Sequence, residues 1–138
     1  MTVPKARDGI MLQPDGWLPP RGYSNGVVAA GRYVVLAGQI GWNPETGAFE
    51  SDDFVAQVRQ SLRNIVAILA EAGASPHDLV RLTWFITQRS EYLGAQRAVG
   101  AAYREVIGNY YPPMSVVVVN ALVEERAKVE IEATAVIP

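Results

Sequence analysis

The sequence has no cysteine among its 138 residues. That removes disulfides, thiol catalysis and zinc–thiolate sites together. Histidine occurs once, as His77 behind Ser75-Pro76. A lone imidazole at a turn has no ligand cluster and no Ser-His-Asp arrangement around it, so it reads as surface structure. Neither a metal nor a cofactor is expected. Lysine is nearly missing: only Lys5 and Lys128 occur, the arginines are scattered, and the net charge is −2. A phosphate-tracking surface, and with it a nucleic-acid partner, is not expected. No apolar run approaches the roughly 18 residues of a membrane span. The start, Met1 to Asp8, has no apolar signal core behind its charges, so a cytoplasmic protein with no membrane partner is expected.

What is present suits one globular domain over residues 1–138. A chain of this size buries roughly 65–70% of the surface it exposes when unfolded. Residues 1–22 are rich in Pro and Gly and read as an extended N-terminal segment, with a short edge strand at Ile10-Met11-Leu12 before the Pro14-Asp15-Gly16 turn. Tyr23–Ala30 and Arg32–Gly38 read as an antiparallel hairpin split by Gly31. Asn43 to Gly47 is the next turn.

Asp52 or Asp53 then caps a helix whose apolar stripe is Val55, Val58, Leu62, Ile65, Val66 and Leu69, with Gln60 and Asn64 off it and Gly73 as its stop. Leu79–Thr87 alternates as a strand, Val80, Leu82, Trp84 and Ile86 facing the core. Ser90 is expected to cap a second helix with Leu93, Val99, Ala102, Tyr103, Val106 and Ile107 inward, ended by Gly108-Asn109. Ser115–Leu122 and Ala127–Val136 are the last strands. The order is β-β-α-β-α-β-β, an α+β fold with a mixed sheet.

Two amphipathic helices cover only one face of such a sheet. Val116 to Val119 is apolar on both faces, so the uncovered face would carry wet valines. A contiguous exposed apolar patch marks an interface, and a homo-oligomer packed sheet to sheet is expected. In the last strand Val129, Ile131, Ala133 and Ala135 suit the helices, while Lys128, Glu130, Glu132 and Thr134 point the other way. Carboxylates near an interface are costly unless paired or hydrated, and Lys128 is the nearest pairing partner.

The stretch Tyr110-Tyr111-Pro112-Pro113-Met114 delivers one side chain, a thioether, into the next strand. Met114 neither holds an anion nor moves a proton. It supplies apolar contact or fills a gap.

The element order, Tyr23 after Gly22, Ala37-Gly38-Gln39-Ile40, Asn43-Pro44-Glu45-Thr46-Gly47 and Val129-Glu130-Ile131-Glu132-Ala133-Thr134-Ala135 resemble the Rid family of YjgF-like proteins. The resemblance runs over nearly the whole chain from about Gly22. It implies a chorismate-mutase-like homotrimer, sheets around a central barrel and helices outside, with small-molecule ligands in clefts between subunits. Its founding activity is hydrolysis of enamines and imines to a 2-oxo acid and ammonia. An arginine at the start of the penultimate strand clamps the substrate carboxylate there, and a glutamate on the last strand handles water or protons. A tyrosine and the backbone of a Gly-Gln segment complete the pocket.

Carried over one position at a time, Glu130 matches the catalytic glutamate and Tyr23 the tyrosine. Gly38 matches the backbone position beside Gln39, and Ala37 stands where serine is frequent. Gly100 stands where asparagine is frequent, Val116 where cysteine is, and Met114 in place of the arginine. Each charge-assisted hydrogen bond of such a clamp contributes roughly 1.5–3 kcal/mol, and methionine supplies none. The resemblance thus implies an imine or enamine deaminase that is not efficient on 2-iminobutanoate. The alternatives are a trimer that binds a metabolite without chemistry and, disfavoured by the charge balance, the endoribonuclease of the older family label.

For each position a plainer role stands beside this one: an interface ion pair for Glu130, an aromatic interface residue for Tyr23, a solvated loop residue for Arg21, which otherwise lies near enough to Tyr23 to serve as a substitute clamp. Trp84 reads as core and Trp42 as loop packing.

Overall fold

The computed structural model describes residues 9–138; of the expected N-terminal segment, residues 1–8 lie outside the described residues. Six strands and three α-helices follow one another as β1 (Met11–Leu12), β2 (Gly26–Val27), β3 (Arg32–Ile40), α1 (Phe54–Glu71), β4 (Leu79–Ile86), α2 (Arg89–Gly94), α3 (Gln96–Val106), β5 (Met114–Val118) and β6 (Val129–Ile137). The main sheet has the order β3-β6-β4-β5, with β4 and β5 parallel and the other pairs antiparallel.

The helix α1 forms where the sequence places it. Asp53 is the N-cap, and its carboxylate accepts from the Ala56 N–H at 2.9 Å. Such a cap contributes about 1 kcal/mol. Val58, Leu62, Ile65 and Leu69 are fully buried against the sheet. At the other end Gly73 takes φ 71° while the Ala74 N–H reaches back to the Leu69 carbonyl, closing the last turn as a Schellman motif.

Asn64 is not off the buried face as expected. It is 4% exposed, and its amide donates to the carbonyls of Ile40 and Trp42. Gln57, also buried, donates to the carbonyls of Ser51 and Arg126 and accepts from the Lys128 N–H. These amides satisfy loop backbone that the sheet leaves unpaired, which is why polar groups sit at helix-core positions.

The expected hairpin is replaced by different pairings. β2 is short and pairs with β1, and β3 pairs with β6. Gly31 explains the change: at φ 146° its backbone closes on the Ile137 carbonyl and leaves no room for a Cβ, so β3 starts against the end of β6. In β4 a bulge falls at Val80, because Leu79 and Arg81 oppose the consecutive residues Ala135 and Thr134. Leu79 is therefore fully buried and Val80 only partly so, which corrects the expected Val80 core contact.

The second helical segment is two helices, not one. It breaks at Ala95 (φ −120°), and Gln88 rather than Ser90 precedes α2. Leu93 is 53% exposed as a result, while Val99, Ala102, Tyr103 and Ile107 are buried as expected. β5 begins at Met114 and ends at Val118, earlier than the expected Leu122.

Helices α1 and α3 pack on the same face of the sheet. The opposite face is bare, with Tyr33 72%, Val35 75% and Val117 41% exposed. Among the described residues no helix is long and apolar enough to cross a membrane.

Candidate functional site

The double proline brings the chain into β5 under an aromatic lid. The Tyr103 hydroxyl donates to the Tyr110 carbonyl at 2.6 Å, and the Tyr110 hydroxyl donates to the Leu79 carbonyl at 2.6 Å. The Tyr103 ring stacks on Tyr111 at 5.1 Å and on Trp84 at 6.5 Å. Burial, reinforced by Tyr111 and Tyr110, pushes the Tyr103 phenol far above its ordinary range. Burial also raises Tyr92 and, together with Asp78, Tyr110. These phenols stay neutral at physiological pH.

The segment before β1's partner completes the site. Ser24 forms a parallel bridge with Pro113, so Arg21 to Tyr23 run past the start of β5. Between this segment, α3 and the β4–β5 edge lies a cavity of about 420 Å³. Tyr23, Gly100, Met114 and Val116, all singled out from the sequence, line it. So does Arg21.

Glu130, Ala37, Gly38 and Gln39 do not. Met114 and Val116 pair with Leu82 and Trp84, on the helix-covered side of the sheet. Glu130 pairs with Ile40 and Phe85 and alternates with buried Val129 and Ile131, so it lies on the bare side. Within one chain the carboxylate is therefore not beside Met114 and Val116. It rests on Gly38, where a Cβ would stand 2.6 Å from Glu130 Oε2. A bulge in β3 at Ala37-Gly38, marked by the shift between the Leu36 and Gln39 pairings, presents this backbone to it. Gln39 Nε2 turns back to the Ala37 carbonyl at 3.1 Å.

Lys128 does not pair with Glu130 or Glu132. Its ammonium meets Glu91 at 3.1 Å, on α2. Trp84 is buried as expected, and Trp42 packs on Phe49 within its loop. The His77 ring lies edge-on to Tyr110 at 5.2 Å. Among the described residues no three His, Asp or Glu side chains are grouped to hold a metal.

Sequence reasoning missed Arg104, which also lines the cavity. Its signal was the spacing of four from Gly100, which puts both on one face of a helix. It also missed that Trp84, read only as core, lines the cavity.

A sequence profile described as Endoribonuclease L-PSP matches residues 17–137. The chain is 37% identical to the 2-iminobutanoate/2-iminopropanoate deaminase of Salmonella typhimurium over 79% of its own length and 83% of that protein's. It is 32% identical to a RutC family protein of Pyrococcus abyssi, over 84% and 87% of the two chains. Among solved structures it resembles the Rid protein YyfB of Yersinia pestis, of unknown function, with a TM-score of 0.82, 32% identity and coverage of 93% and 98%. TdcF of Escherichia coli, solved with bound serine, superimposes with a TM-score of 0.67 at 34% identity, over 94% and 98%. The mixed sheet with two main helices on one face is the chorismate-mutase-like fold that these Rid/YjgF structures share. The chain belongs to the Endoribonuclease L-PSP family, the Rid/YjgF proteins.

Proposed function

We propose that this protein is a deaminase of small imines or enamines whose site is shared between two copies of the chain. The observation that carries the reading is the split across the sheet: the lined cavity is on one face and Glu130, cradled by Gly38, is on the other. The cavity contains no carboxylate of its own. Hydrolysis of an imine needs a group that takes a proton from water and returns one to nitrogen. A second copy supplies it when its bare face, with Glu130, is set against the first copy's cavity. The exposed Tyr33, Val35 and Val117 give that face the apolar surface for assembly. A closed ring of three, as the family resemblance implies, repeats one such contact three times.

In the proposed reaction, water adds to the carbon of the C=N bond while Glu130 takes its proton. Returned to nitrogen, that proton gives a carbinolamine; its hydroxyl proton is then passed by Glu130 to the amine as the C–N bond breaks, and a ketone and ammonia leave. Relatives bearing the name 2-iminobutanoate/2-iminopropanoate deaminase support the reaction class. Met114 argues against 2-iminobutanoate itself, because the β5 wall offers that short acid no charge. The same methionine favours a second reading, in which the cleft binds a metabolite without converting it.

The test generates imines from L-leucine with an amino-acid oxidase and follows their lifetime by semicarbazide trapping. Wild type shortens that lifetime and Glu130→Gln does not. Val116→Trp, which fills the cavity, is also inactive. Co-expression of these two variants restores activity, because one copy keeps the cavity and the other the carboxylate. Full activity of Glu130→Gln would rule out the mechanism, and no recovery on co-expression would rule out the shared site. Inactive wild type that still binds the corresponding 2-oxo acid would establish the second reading.

A further inference from the structure

The cavity is unusual in what it lacks as much as in what it holds. Its charged wall residues are Arg21 and Arg104, and no acid stands among the residues that line it. Ion pairs engage Arg59, Arg63 and Arg126 elsewhere, but neither Arg21 nor Arg104 has one among the described residues. Arg104 Nη1 lies over Gly100, so close that a Cβ there would stand 3.2 Å away. The bare backbone at position 100 leaves the guanidinium room to lie close against the helix. Trp84 lines the same wall as an aromatic surface. The Tyr103 hydroxyl is already spent on the Tyr110 carbonyl. The site therefore offers two guanidinium groups with no carboxylate among the lining residues to receive them. A guanidinium without a carboxylate partner is matched by an anionic oxygen.

The Tyr111 and Tyr103 rings, Met114 and Val116 supply apolar surface, beside Tyr23, Tyr92 and Gln96. A planar fork of N–H groups matches a carboxylate in two parallel bonds. We propose that Arg104, seated over Gly100, is the carboxylate clamp of this cavity, and that the ligand is a small monocarboxylate with a branched or aromatic body. Arg104 reads the carboxylate from α3, while Met114 and Tyr111 hold the body. This inference rests on the cavity being the ligand site.

The experiment is calorimetric titration of the full chain with 4-methyl-2-oxopentanoate and with its neutral amide, 4-methyl-2-oxopentanamide. Wild type binds the carboxylate tighter than the amide by roughly ten- to a hundredfold, the range of one charge-assisted bond. Arg104→Gln abolishes that preference and leaves the amide affinity unchanged. Arg104→Lys restores part of it. Arg104 is exposed, so these variants keep the wild-type circular dichroism and melting temperature. A preference unchanged in Arg104→Gln but lost with all binding in Val116→Trp overturns the clamp and leaves the cavity as the ligand site. Binding that survives Val116→Trp overturns the cavity reading and the clamp with it. Equal affinity of wild type for the two probes, or binding of neither, also overturns the clamp.

Discussion

Glu130 and Gly38 occupy the same space: a Cβ at Gly38 would meet Glu130 Oε2 at 2.6 Å and Cδ at 2.7 Å. The three nearest atoms all belong to the Glu130 side chain. The bulge that exposes Gly38 thus sets where the carboxylate lies, on a sheet face that the chain itself leaves bare.

Gly38→Ala is predicted to displace that carboxylate while sparing the fold. Imine hydrolysis in the trapping assay should fall by about a hundredfold, the scale of an ångström's misplacement of a reacting group. The melting temperature should stay near that of wild type, because the clash is relieved by a side chain turning. Unchanged hydrolysis would show that the position of Glu130 is immaterial.

Met114→Arg is predicted to place a guanidinium on the β5 wall of the cavity. Binding of 2-oxobutanoate, too short to span the apolar wall, should tighten by roughly tenfold or more through one charge-assisted bond. Calorimetry on the two proteins compares them directly. A variant that folds and binds no better than wild type contradicts an open cavity at this wall.

Alkaline pH should find the aromatic lid. The Tyr103 phenol is raised from its ordinary 10.0 by burial, then by Tyr111 and Tyr110. Below pH 10 both folded and unfolded chains hold the proton and its contribution to stability is whole. Above pH 10 the unfolded chain ionises first, so stability is lost as pH climbs toward the folded-state value. Tyr103→Phe should cost about 1 kcal/mol at neutral pH for the bond to Tyr110, yet show a shallower loss of stability above pH 10. Urea unfolding at pH 7 and at pH 11 separates the two effects. An equally steep alkaline loss in the variant would remove Tyr103 as its cause.

Local signals were read correctly where the physics is local. The Asp53 cap, the Val58–Leu62–Ile65–Leu69 stripe and the Gly73 stop each depend on residues within a turn or two. The inward set Val129, Ile131, Ala133 and Ala135 follows from strict alternation in a strand without a bulge. Alternation failed in β4 because an extra residue at Val80 inverts the faces before it. The pairing of β2 failed because its partner, β1, is chosen by three-dimensional fit rather than by adjacency in sequence. Asn64 and Gln57 were misplaced or passed over because their partners, Ile40, Trp42, Arg126 and Lys128, are distant in the chain.

The same division runs through the site. The family resemblance named Tyr23, Gly38, Gly100, Met114, Val116 and Glu130, since a motif lives in the identity of side chains. The same resemblance pointed to the family and to methionine where its members carry a guanidinium at the start of β5. Only the folded chain separates Glu130 from Met114, because the face a strand residue shows depends on bulges and neighbours, not on its own identity. Only the folded chain brings Arg104 over Gly100 and into the cavity beside Trp84, since proximity across elements is a property of packing.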